Sequence, residues 1–449
     1  VHCYMRNPNV QPDIILLMTE EDPDALIRTC RGGQTAIYRY FGNKVISIPV
    51  VDILLALDPE GLARANASGN GLTPVHTFFS HKHVTPPAIL SILASDPEAL
   101  LRTDIKGATP VHLYMFCGNV CDDVVETIIE FDPNAMKRIT TSSRVTAVHR
   151  YMGNKTVTES IVNIIQKSDP EAFKRCNKDG GTPLHRYMIN SDVRMEVLDA
   201  IVRNNPRAIL KADKDGLTPF HEYMFENKNV EIDVIEFVLG LDDKALLRPD
   251  TAGCTPVHHY MLNSHISGDV VRYVMEREPH GFNVPSKLGL TPVHRYMGNK
   301  RISPDIIDML VEHDPGALNH VDQSGSTPVH WYCATNKNAG YEDDDIIQTF
   351  KDADPECFTR KNTNGDKPNL PKNTPELIQR ALSGNGKSSR RRRSSLQAPS
   401  NSRRRRSSIT TALAGWDFND PAANLKGTGL EHELDNNPLA LKLKIVGEK

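Results

Sequence analysis

Histidine is the residue type in this 449-residue chain whose spacing first suggests chemistry. Nine of its 17 histidines, His2, His76, His112, His149, His185, His221, His258, His294 and His330, recur at a nearly constant interval. A metal ion would need several of them within one coordination sphere at about 2.0 to 2.1 Å, whereas packed neighbours lie on the order of 10 Å apart. A structural role is therefore expected and no metal is assigned. Cys117 and Cys121 form an isolated Cys-x3-Cys with no second pair, which reads as inert thiols. Ala381 to Ser388 fits a relaxed phosphate-loop pattern ending in Gly386-Lys387-Ser388. That chemistry requires a strand before the loop and a helix after it, and four arginines follow instead, so a linker is the better reading. The acidic run Glu342-Asp-Asp-Asp345 lacks the Gly and distal Glu of a calcium loop and suits the start of a helix. No nucleophile elbow, kinase signature or zinc-hydrolase helix is present. No catalytic residue and no cofactor are expected, and the chain reads as a non-enzyme.

The elements that position these histidines follow from the repeat. Gly289-Leu-Thr-Pro-Val-His-Arg-Tyr-Met297 is its cleanest copy, and Thr35-Ala-Ile-Tyr38 is a degenerate one between His2 and His76. Counting Tyr38, successive spacings are 36, 38, 36, 37, 36, 36, 37, 36 and 36. So regular a period makes each copy one unit stacked on the next. Thr291 is a helix N-cap and Pro292 sits at the first helical position, where it has no hydrogen bond to lose. Val293, Tyr296 and Met297 share a buried face. An Asn two residues after the Met (Asn7, Asn43, Asn154, Asn190, Asn263, Asn299) suits a left-handed residue that ends the helix. A second helix opens with an acid and two apolar residues, as at Asp123-Val-Val and Asp305-Ile-Ile, and ends near a recurring Asp-Pro such as Asp314-Pro315. An Asp-x-x-Gly turn, for example Asp322-Gln-Ser-Gly325, leads to the next unit.

This string with two helices behind it resembles the ankyrin repeat. Two departures stand out. The period exceeds the family's usual 33 residues, and Tyr (Tyr4, Tyr40, Tyr114, Tyr151, Tyr187, Tyr223, Tyr260, Tyr296, Tyr332) replaces the Ala two residues after the His. The resemblance implies an all-α fold: a right-handed solenoid of helix-loop-helix ankyrin-like repeats joined by tight turns, to which the composition after residue 382 adds a disordered C-terminal tail. It also implies that the motif His ties its helix to neighbouring backbone, and that a protein partner binds on the concave face. The position after the motif His is the candidate contact: Arg39, Arg150, Arg186, His259, Arg295 and Trp331 occupy it, types enriched in interface hot spots. The alternative is that these arginines only solubilise the surface.

Three regions are expected. Residues 1–382 form the array of about ten repeats, the first truncated and a capping helix near 374–382; 383–409 is a disordered basic segment; 410–449 is a mostly disordered tail. The net charge of -3 divides into about -10, +9 and -2 over these regions. Two Arg runs, Arg390, Arg391, Arg392, Arg393 and Arg403, Arg404, Arg405, Arg406, each continue as Ser-Ser and an aliphatic residue. Such paired runs resemble a bipartite import signal read by a nuclear-import receptor. Arg-Arg-Ser-Ser resembles a basophilic-kinase site, at Ser395 and Ser408. By charge alone the same segment also fits nucleic acid or an anionic surface. A nuclear or nucleo-cytoplasmic location is expected, with cytoplasmic as the alternative. Eight scattered cysteines favour a reducing compartment, and no apolar run reaches the roughly 18 to 20 residues of a membrane span. No signal or transit peptide is seen, and because Val1 falls inside the repeated motif the expectation stays open that residues before it are missing.

Overall fold

The computed structural model describes residues 1–368 apart from Arg31, Lys44, Ala67, Ser68, Lys82, Lys300 and residues 336–343. Among these the chain is all-helical: ten pairs of a short first helix and a ten-residue second helix run from Tyr4–Arg6 and Pro12–Glu21 to Pro328–Thr335 and Asp344–Ala353. A single isolated bridge, Ile139 to Thr146, is the extended pairing among the described residues. First helices pack on first helices of the adjacent units and second on second, giving two layers with one continuous apolar core between them.

The His294 unit shows why the sequence folds this way. Thr291 caps Pro292–Met297, accepting the N–H of His294, with Pro292 in the first turn. Val293, Tyr296 and Met297 are fully buried. The second helix, Pro304–His313, carries Asp305 in its first turn and ends at Asp314. An ion pair missed in the sequence closes this end. The helix-ending Asp meets an Arg six residues later at Asp58–Arg64, Asp96–Arg102, Asp132–Arg138, Asp169–Arg175, Asp242–Arg248 and Asp354–Arg360. His320 takes that place beside Asp314 at 3.0 Å.

Turns stack through their backbones. Asp250 Oδ1 accepts the N–H of Ala252 and of Cys254 at 2.8 Å, while Thr251 N–H donates to Asp215 O of the preceding turn at 2.9 Å. Gly216 is required there twice over. Its φ is +80°, and a Cβ would lie 2.7 Å from the Thr251 nitrogen.

The tyrosines that depart from the ankyrin pattern hold the loop between the two helices. Tyr260 Oη accepts the N–H of Ser267 at 2.8 Å and donates to its carbonyl; Tyr296 does the same with Ser303. A small residue could not span these seven positions, so the Tyr and the lengthened loop form one device.

The expected left-handed asparagines are corrected. Among the described residues Arg144 is the one non-glycine with positive φ; Asn7, for instance, has φ -71° and ψ 133°. Their side chains instead reach the preceding unit. Asn263 Nδ2 donates to Met224 O at 3.1 Å and Asn227 O at 2.8 Å, and Asn299 Nδ2 to Met261 O and Asn263 O. The helix stops because the loop carbonyls are satisfied from the next unit, so no αL residue is needed. The expected capping helix, basic segment and tail lie outside the described residues.

Asn263 is 1% exposed, so Asn263→Ala strands two buried carbonyls and the N–H of His265 that its Oδ1 accepts. The expected loss is about 2 to 3 kcal/mol in urea denaturation, and a loss under about 0.5 kcal/mol would remove this role.

Candidate interaction face

Seven of the nine motif histidines spend both ring nitrogens inside the array. In the His258 unit, Nδ1 lies 3.0 Å from the Thr255 backbone nitrogen and 2.9 Å from Thr255 Oγ1, and Nε2 lies 2.9 Å from Leu290 O of the next unit. A backbone N–H can only donate, so Nδ1 is the bare acceptor and Nε2 carries the proton. The same geometry joins His76 to Ala108 O, His112 to Val145 O, His149 to Gly181 O, His185 to Leu217 O, His294 to Ser326 O and His330 to Asp366 O. His221 departs: its Nε2 makes no hydrogen bond, and its ring meets His259 edge-on at 5.4 Å. Burial holds His112, His149, His185, His221, His258 and His294 down to about 4, so they are neutral. Among the described residues no three metal-binding side chains converge. Cys117 Sγ donates to Phe79 O and Leu113 O, and Asp344 opens the last helix.

The residues after these histidines are half-buried, and none of the six candidates stands free. Three bond back to the turn of their own unit nine residues earlier. Arg39 Nη2 meets Cys30 Sγ at 3.2 Å, His259 Nε2 meets Asp250 Oδ2 at 2.9 Å, and Trp331 Nε1 donates to Asp322 Oδ2 at 3.0 Å. Arg295 Nη2 instead reaches Cys254 Sγ in the preceding unit at 3.2 Å. Arg150 lies over the Phe116 ring, 5.9 Å from its centroid. The Arg39 hydrogen bond draws the Cys30 thiol down to about 7. Burial pushes Glu222 up to about 7, with Glu226 and Asp213 adding to the rise and the Arg186 charge opposing it.

Stacking of consecutive first helices lines up Arg150, Arg186, Glu222, His259, Arg295 and Trp331. Arg39 is separated from Arg150 by the units carrying Thr77 and Leu113. Two aromatic residues complete the row and were not read from the sequence: Phe116 is 46% exposed beside Arg150, and Phe225 is 38% exposed with its ring 5.7 Å from His259. Their signal was available. Both lie four residues after the motif His, where Gly42, Ser80, Gly153, Gly298 and Ala334 stand in five other units and Arg6, Ile189 and Leu262 in three.

Capping box, cross-unit histidine bond and paired helices define an ankyrin-like repeat array. No family model matches the chain, and no curated protein matches it. Among solved structures it is similar to the ankyrin repeat domain of Bcl-3, described there as a unique member of the IkappaB protein family. The identity is 20%, over 50% of this chain and 92% of that one, at a TM-score of 0.35. Among the described residues no helix is long and apolar enough to cross a membrane.

The histidines set the acid limit of the array. Unfolded histidine titrates near 6.5 and these six near 4 when folded, so the unfolded chain binds more protons between those values. Their contribution is complete above about pH 6.5 and is lost as pH falls towards 4; Glu222 acts in the opposite sense with one proton. Unfolding at pH 5.5 is expected to take up on the order of four protons, measured by calorimetry in two buffers of different ionisation enthalpy. Zero uptake or proton release would contradict neutral, buried histidines.

Proposed function

We propose that the array is a non-catalytic scaffold that holds a protein partner along its first-helix face. The observation that carries this reading is the row of half-buried charged groups, fixed by bonds to their own turns or neighbouring units, with Phe116 and Phe225 exposed among them. Rigid, partly desolvated Arg and aromatic groups lose little freedom on binding, which suits a recognition surface. Non-catalysis is supported by what the candidate groups already do: the histidines and the Asp-x-x-Gly carboxylates are used up in capping and turn bonds.

Phe116→Ala with Phe225→Ala is expected to weaken capture of the partner by at least tenfold while the urea midpoint stays near that of the parent. Affinity capture with the full chain and the variant, quantified by mass spectrometry, measures it. An unchanged set of captured proteins overturns the choice of face.

The basic segment is assigned, in the same reading, to location and regulation: Arg390 to Arg393 and Arg403 to Arg406 engage an import receptor, and a basophilic kinase modifies Ser395 and Ser408. Phosphorylation of Ser394, Ser395, Ser407 and Ser408 would add roughly -6 to -8 and nearly cancel the segment's +9. Asp at all four serines is expected to reduce nuclear accumulation, and unchanged localisation counts against the assignment. A second reading, support from the duplicated Arg runs alone, is a nucleic-acid-associated protein. It requires salt-sensitive duplex binding that disappears when 383–409 is removed.

A further inference from the structure

One cavity lies away from the first-helix row. It holds about 600 Å³, is open to solvent, and is lined chiefly by Thr109, Lys137, Arg138, Arg144, Arg175 and Cys176. Four of these side chains are cationic, and no carboxylate residue is among its lining. Arg138 and Arg175 are already paired with Asp132 and Asp169. Lys137 and Arg144, both exposed, form no ion pair among the described residues. The site therefore carries two uncompensated positive charges.

Both charges arise where this unit departs from the two units beside it. A Glu stands two residues after the helix-ending Asp at Glu60, Glu98, Glu171 and Glu356, and Glu171 holds Lys174 at 2.6 Å. Asn134 replaces that Glu here, which leaves Lys137, the counterpart of Lys174, without a carboxylate. The turn of this unit is also longer. Two residues before the capping Thr, where Gly107 and Gly180 stand at φ +77° and +88°, it places Arg144 at φ +54°. A left-handed conformation is unfavourable for an Arg, so the local backbone works against this residue.

Two free cations, Lys137 and Arg144, beside two guanidinium groups already held by their own carboxylates, suit a ligand with two negative charges and three terminal oxygens. A carboxylate supplies one charge and two oxygens, a phosphate monoester both requirements. We propose that this cavity binds a phosphate monoester presented as the phosphorylated side chain of a peptide. The site is distinct from the first-helix face and does not depend on that assignment.

Cys176 lines the cavity and reports on it locally, which separates this site from the arginines of 383–409 in the same chain. The rate of Cys176 alkylation by iodoacetamide is followed by peptide mass spectrometry in the full-length chain at 150 mM salt, a concentration that screens long-range attraction. The probes are N-acetylphosphoserine amide, inorganic phosphate and N-acetylglutamate amide. The phosphoserine derivative is expected to slow alkylation several-fold at millimolar concentration, inorganic phosphate to do so as well, and the glutamate derivative to have little effect. Protection is expected to vanish in Arg144→Gly and in Lys137→Leu, substitutions that install what other units carry at Gly107 and Leu101. Arg144→Gly should also raise the urea midpoint, so that lost protection and gained stability appear together. Absence of protection, equal protection by the glutamate derivative, or protection that survives both substitutions overturns the site. Protection by inorganic phosphate but not by the phosphoserine derivative overturns presentation on a peptide.

Discussion

A buried imidazole that accepts from its own unit and donates to the next is the constraint on which this array depends. Nδ1 closes the capping box on the Thr that starts the first helix, and Nε2 satisfies a carbonyl just before the following capping Thr. One side chain thus fixes both where a helix begins and how far away the next one lies. Because both nitrogens are committed, the ring must be neutral, and burial makes it so. The period of 36 to 38 residues is the sequence trace of that bond.

Around it the extra length relative to an ordinary ankyrin repeat is put to use. The Tyr hydroxyl binds the N-terminal boundary of the second helix, and the Asn amide binds loop carbonyls of the preceding unit. Loops that would otherwise be mobile are tied at both ends. The face of the first helices is rigid for the same reason: Trp331 and His259 are anchored by Asp322 and Asp250, whose other oxygens shape the turns. A surface held this firmly recognises by preformed shape and charge more than by rearrangement.

Repetition also makes departures informative. At Asn134 and Arg144 a unit abandons the residues its neighbours use, and the result is an uncompensated charge pair at a cavity. Phe116 and Phe225 stand out on the same principle, being aromatic where five other units carry Gly, Ser or Ala.

The sequence alone determined the period, the helix starts at Thr-Pro, the acid that opens most second helices, the Asp-x-x-Gly turn and the burial of Val293, Tyr296 and Met297. Each is a local property, set by capping, dipole or periodicity within one unit. Tertiary structure decided what Asn263 binds, that Asp132 and Arg138 pair across a bend, that Arg295 faces Cys254, and which side chains the cavity gathers. Those contacts join residues about one unit apart or fold a side chain back across a turn. They depend on how units superpose, which no single unit's residue pattern states.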